Sequence, residues 1–134
     1  DTNGQPLNVK GICASAATGR LYVSTLKTLT CFDLMTDSIL WEKAYPGGCD
    51  RMSITPDGKT IYLPGFEKDF WYVVDPANGE VIKRIETPKT GSHNTVVDAS
   101  GAHAYLAGLR SPLLRVVDQL EGIEAVSGYA IGRI

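Results

Sequence analysis

No run of apolar residues approaches the length of a membrane span. Lys and Arg number 13 against 15 Asp and Glu, for a net charge of -2. The two signs are interspersed along the sequence, with no basic stripe to neutralise a nucleic-acid backbone, so no nucleic-acid partner is expected. Only three cysteines are present, Cys13, Cys31 and Cys49. None stands in a CxxC spacing, which excludes the usual sequence-local metal patterns, and an odd number leaves at least one thiol unpaired within the chain. They read as small hydrophobes buried on strands. There is no GxSxG nucleophile signature. Gly47-Gly48 and Gly91 lack the strand-then-helix setting of a phosphate loop. Helical periodicity is also missing. Its nearest approach, Leu29 to Trp41, is interrupted by Thr28, Thr30 and an Asp33 turn that favour strands. The chain starts at Asp1 with neither methionine nor a signal-peptide pattern, which reads as a processed form or an excised piece.

What is present is ordinary globular composition in 134 residues, 43% of them hydrophobic, enough for one domain with a core. The sequence also repeats. Tyr22, Tyr62 and Tyr105 are spaced by 40 and 43 residues, and Asp33, Asp75 and Asp118 by 42 and 43. Two independent anchors therefore agree on a unit of about 40 residues, the length of a four-stranded propeller blade. The repeats run approximately over 9–48, 49–91 and 92–134. In the second unit "RMSIT", "TIYLPG", "FWYVVD" and "EVIKRI" read as strands. They are punctuated by Pro56-Asp57-Gly58-Lys59 and by Pro76-Ala77-Asn78-Gly79, the latter a strong hairpin signal. Gly79 has counterparts at Asp37 and Gly122. The recurring aspartates are expected to accept amides of the turns that follow them. The fold class is all-β: about three four-stranded antiparallel sheets, the blades of an incomplete β-propeller ring.

The segments "SITPDGKTIYLPG" (53–65), "YVVDPANGEVIKRI" (72–85), "TGRLYVST" (18–25) and "DASGAHAYLAG" (98–108) resemble the YVTN family of β-propeller repeats, related in architecture to WD-repeat and lactonase-type propellers. The resemblance covers the chain from about Val9 to Asp118. It implies a propeller of repeated blades, an extracytoplasmic setting at the periplasm or cell surface, and, from the lactonase-type relatives, hydrolysis as an alternative to simple binding. The first unit departs from it with Cys31-Phe32-Asp33-Leu34 in place of "VVDP", and after Gly122 "IEAVSGYAIGRI" gives no assignable strand pairing. Three blades are too few for a ring of about 4–8. Terminal blades would expose apolar sheet faces, so the expectation is a segment of a longer propeller, with pairing of two copies into a six-bladed ring as the alternative.

Blade geometry puts the loops after second and fourth strands on one face, where propellers commonly bind ligands. That face would carry "FEKD" (66–69), "LRSP" (109–112), "YPGGCDR" (45–51) and "TPKTGSHN" (88–94). Lys10, Asp50 and His93 start the innermost strands, followed by Arg51 and Asn94. At a channel mouth these five could hold a polar small molecule; the alternative is a set of solvated rim residues. If the chain is a hydrolase, Arg51 would stabilise an oxyanion while His93 or Asp50 handles protons. His93 has no sequence-local metal partners, and His103 is expected to be exposed at the start of a second strand. Trp41, Trp71, Phe66, Phe70 and Tyr72 are either a ligand platform or, as strand aromatics commonly are, packing between sheets. No metal and no cofactor is expected. The leading reading is a non-catalytic scaffold for an unknown small molecule or protein, and the alternative is a lactonase-like hydrolase.

Overall fold

The computed structural model describes Gly4 and residues 7–119 and 126–130. Gly122, the turn counterpart of Gly79, lies outside the described residues. The first sheet contains β1 (Gly11–Ser15), β2 (Arg20–Ser24), β3 (Thr28–Asp33) and β4 (Ile39–Ala44). The second contains β5 (Ser53–Ile54), β6 (Ile61–Pro64), β7 (Phe70–Val74) and β8 (Val81–Glu86). The third contains β9 (Ser92–Val97), β10 (His103–Gly108), β11 (Leu113–Asp118) and β12 (Val126–Ala130). Within each sheet consecutive strands pair antiparallel in sequence order, and the described residues include no helix. β12, which the sequence left unpaired, runs against β11 from Leu113↔Ala130 to Val117↔Val126.

The first strands meet. β1 packs against β5, and β9 against β5 and β6, so the sheets stack face to face about their inner edges. This explains why apolar residues run unbroken through the middle sheet. With both faces covered, every residue of β6 and β7 is buried. Because successive side chains point to opposite faces, Ile61, Leu63, Tyr72 and Val74 pack toward Tyr22, Leu29 and Cys31 of the first sheet. Tyr62, Trp71 and Val73 pack toward Ala104, Leu106 and Val117 of the third. Each such side chain contributes roughly 1.5–3 kcal/mol through burial.

The outer faces differ. Ile12, 65% exposed, lies across from Val23 on the side of the first sheet away from its neighbour. Val96, 53% exposed, lies across from Tyr105 on the corresponding side of the third. These are apolar sheet faces without a covering element among the described residues.

Turn chemistry closes the blades. Asp33 Oδ1 accepts from the amides of Met35 and Thr36, and Asp75 Oδ1 accepts from that of Ala77. A register shift precedes each of these turns, at Cys31/Phe32 and at Val73/Val74. Gly58 links β5 to β6 with φ +72°, and an added Cβ would lie 2.5 Å from Ser15 Oγ of the first sheet. Glycine is therefore required there by conformation and by space. One strand is shorter than its sequence suggests. The ladder of β5 covers only Ser53 and Ile54, although Asp50 N–H donates to Pro64 O and Thr55 N–H to Thr60 O on either side. Arg51 and Met52 leave the ladder between those bonds.

Candidate functional site

The loops after second and fourth strands do gather at one end. Phe66 N–H donates to Gly47 O, Glu67 N–H to Ser92 O, Leu109 N–H to Gly91 O and Arg110 N–H to Thr90 O. The turns after first and third strands gather at the other end, where Leu34 N–H donates to Gly19 O and Gln119 N–H to Ala102 O.

At the first of these ends three of the five sequence candidates meet. Asp50, only 1% exposed, is held by its backbone: its N–H donates to Pro64 O and its carbonyl accepts from Ser24 Oγ at 2.8 Å. Close approach of β1 makes this possible, because a Cβ on Gly11 would stand 2.9 Å from Arg51 Cα. The buried carboxylate then finds its partner across the sheet boundary, 2.9 Å from His93 Nδ1. On the other side of the ring, Arg51 Nη1 lies 2.8 Å from His93 Nε2. A guanidinium can only donate, so Nε2 must be the acceptor and the ring proton must sit on Nδ1, from which it is donated to Asp50 Oδ2. The result is a directed chain, Arg51 to His93 to Asp50, that leads from an exposed cation to a buried carboxylate. Pairing is what makes the burial of Asp50 tolerable.

The other two candidates sit differently. Lys10 N–H donates to Ser24 O, and its ammonium stands 5.6 Å from the Phe66 ring centroid, a cation–π contact at the same end. Asn94 is exposed and follows His93 on β9, so its side chain leaves the opposite face of the sheet. The sequence did not single out Ser24, which anchors Asp50, or the contact between Phe66 and Lys10. The tyrosine alignment carried a signal for Phe66, which falls four residues after Tyr62 in a loop rather than on a strand.

Several other candidates prove structural. Phe70, Trp71 and Tyr72 are buried between sheets, and Trp41 lies half-buried against Tyr22. All three thiols are free. Burial pushes Cys49, beside Asp50, up to about 12, so it is no nucleophile at neutral pH. His103 is half-buried, with Nδ1 3.1 Å from Asp98 Oδ2 in its own hairpin. Among the described residues no three His, Cys, Asp or Glu side chains cluster as metal ligands, and no helix is long and apolar enough to cross a membrane. A groove of about 470 Å³ opens at the opposite end between Thr55–Asp57 and Ser100–Ala102. Its carboxylate, Asp57, is already occupied by Thr55 Oγ1 and the Lys59 amide.

The stacked four-stranded sheets, innermost strands together, are blades of a β-propeller. Solved structures agree. The chain resembles Kuenenia stuttgartiensis hydrazine synthase with a TM-score of 0.78 at 24% identity, over 92% of this chain and 36% of that one. It resembles the β-propeller domain of Myceliophteria thermophila Cps50 (Swd1) with a TM-score of 0.76 at 16% identity, over 96% and 43%. The structure of U3-55K matches with a TM-score of 0.83 at 9% identity, over 97% and 41%. At these identities the likeness is one of fold, and the chain spans about two fifths of the length of each. No known family profile matches the chain, and no characterised protein matches it by sequence.

Proposed function

We propose that the chain is a segment of a YVTN-type propeller that serves as a binding scaffold, and that the end carrying Asp50, Arg51 and His93 is its binding face. The observation behind this reading is the Arg51–His93–Asp50 chain, which joins two blades at the loop-rich end and leaves Arg51 exposed, with guanidinium N–H groups beyond the one given to His93. Such donors suit a carboxylate or carbonyl oxygen. The uncovered faces around Ile12 and Val96 call for further blades, and the proportion of the solved propellers that the chain matches supports the same reading. Sedimentation tests this part: a compact monomer that binds no apolar dye would count against missing neighbours.

The hydrolase alternative has one observation in its favour, an imidazole oriented by a buried carboxylate. Against it, the Nε2 lone pair that would act as base already accepts from Arg51. A screen of small carboxylates and lactones separates the two. Amide shifts centred on residues 50, 51 and 93 without turnover support the scaffold. Lactone turnover abolished in both His93→Ala and Asp50→Asn would replace it with the hydrolase.

A further inference from the structure

The small net charge hides a separation that only the fold makes. At the end that carries His93, Lys10, Lys27, Arg51, Lys68, Lys89 and Arg110 surround the loops. The acids there are Glu67, Glu86 at the end of β8, which pairs with Arg84, the buried Asp50 bonded to His93, and Asp69, which accepts from the Gly91 amide and pairs with Arg110 at 3.4 Å. Aspartates outnumber cations at the opposite end: Asp33, Asp37, Asp57, Asp75 and Asp98 lie in or beside its turns, against Arg20 and Lys59. One face is thus cationic and the other acidic, which sets the sign of partner each attracts.

The cationic face also carries a repeated apolar position. Leu26, Phe66 and Leu109 each fall four residues after the repeating tyrosine, in the loop between second and third strands. Phe66 and Leu109 are pinned alike, their amides donating to Gly47 O and Gly91 O of the loops that precede their blades. Leu26 is 39% exposed and Leu109 55%, so neither position is explained by core packing. Beside Leu26 opens a cleft of about 420 Å³ walled by Ala44, Tyr45, Pro46 and Gly48, with Lys27 at its edge. Apolar groups therefore recur from blade to blade, interleaved with ammonium and guanidinium groups.

We infer that this face docks an acidic peptide segment whose carboxylates alternate with apolar side chains. Carboxylates would meet the lysines and Arg51, while apolar side chains would cover Leu26 and Leu109 and enter the cleft beside Tyr45. The alternation favours a peptide over a nucleic acid, whose backbone would meet the cations but leave the leucines uncovered. This deepens the binding-face proposal and rests on it.

The test is fluorescence anisotropy and amide shift mapping of the whole chain with a short labelled peptide alternating glutamate and leucine. Comparators are an all-glutamate peptide, a lysine–leucine peptide and a single-stranded oligonucleotide. The glutamate–leucine peptide should bind best, weaken as salt rises to physiological strength, and shift Leu26, Phe66 and Leu109. The pair Leu26→Ser with Leu109→Ser, and the pair Lys27→Gln with Lys68→Gln, should each weaken it about tenfold at an unchanged unfolding midpoint. Absence of binding, equal affinity for the variants, or tighter binding of the oligonucleotide would overturn the inference. If the peptide fails while a small carboxylate still shifts Arg51 and His93, only this inference falls. Shifts confined to the Gly58 end would defeat the binding-face reading as well.

Discussion

The two boundaries between blades use equivalent positions and satisfy them differently. Between the first and second blades, Tyr22 Oη and Trp41 Nε1 both donate to Pro76 O, and Tyr45 Oη donates to Gly79 O at 2.6 Å. Tyr72 Oη returns a bond to Pro46 O. Between the second and third blades, Tyr62 stands where Tyr22 stood and Thr87 where Tyr45 stood. Both are buried, yet Tyr62 Oη and Thr87 Oγ1 find no partner among the described residues. Trp71 Nε1, donating to Thr95 Oγ1 at 2.8 Å, and the Val97 amide, donating to Ser53 Oγ, fasten that boundary instead.

The inner ends differ in a complementary way. The first boundary closes through backbone, with Gly11 against Arg51 and Ser24 Oγ on the Asp50 carbonyl. The second has backbone contacts too, Ser92 Oγ donating to Gly65 O and the Glu67 amide to Ser92 O, and adds the ionisable side chains Asp50, His93 and Arg51. Repeat position dictates which residues are buried, whereas the identity of each residue decides whether its polar atoms are met. Chemistry collects at the boundary that side chains close.

The largest expected effect falls on the second boundary, where two buried hydroxyls go unmet among the described residues. Trp71→Ala removes its biggest side chain and leaves Thr95 unpaired, and should cost about 3–5 kcal/mol in denaturant unfolding. A loss under about 1 kcal/mol would mean that the boundary is not packed as described.

Alkaline pH should act next, and on the other boundary. Burial raises Cys13 and Cys49 from an ordinary 9.0 to about 12, and burial together with the nearby Cys31 raises Tyr22 from 10.0 to about 12. The unfolded chain therefore releases these protons first. Stability is fully present below pH 9, and is lost as pH climbs from there toward 12. Hydrogen exchange should show β2 and β3 opening in that window before β10 and β11; simultaneous opening would contradict the assignment. Smaller still is Tyr45→Phe, which strands Gly79 O and should cost about 1–2 kcal/mol. Smallest is Tyr62→Phe, which deletes an already unpartnered hydroxyl and should change stability by less than about 0.5 kcal/mol. Equal costs for these two tyrosines would erase the contrast.

Much of this fold was legible because blade repetition writes itself locally. Tyrosine on the second strand, aspartate closing the third and glycine in the turns recur in register, and each is fixed by its own neighbours. β5 was read too long because Arg51 and Met52 carry strand-like residues but leave the ladder, a choice made by packing across the boundary. β12 lacked any recurring anchor, so only the backbone pairing with β11 reveals it. Among the site candidates, Lys10, Asp50 and His93 emerged as equivalent positions. Their equivalence did not foretell that Asp50 and His93 would bond while Lys10 turns to Phe66, because side-chain reach between blades is not periodic. The YVTN-like motifs point to architecture, and neither they nor the spacing contained the gathering of cations at one end.

The tautomer of His93 tests most directly the claim that Asp50, His93 and Arg51 join two blades at the loop-rich end proposed to bind ligand. Long-range proton–nitrogen correlation on the folded chain should find the proton on Nδ1 and a bare Nε2, with Arg51→Gln perturbing the Nε2 resonance. A proton on Nε2 with a bare Nδ1, or indifference to Arg51→Gln, would show that the chain from Arg51 to Asp50 does not exist.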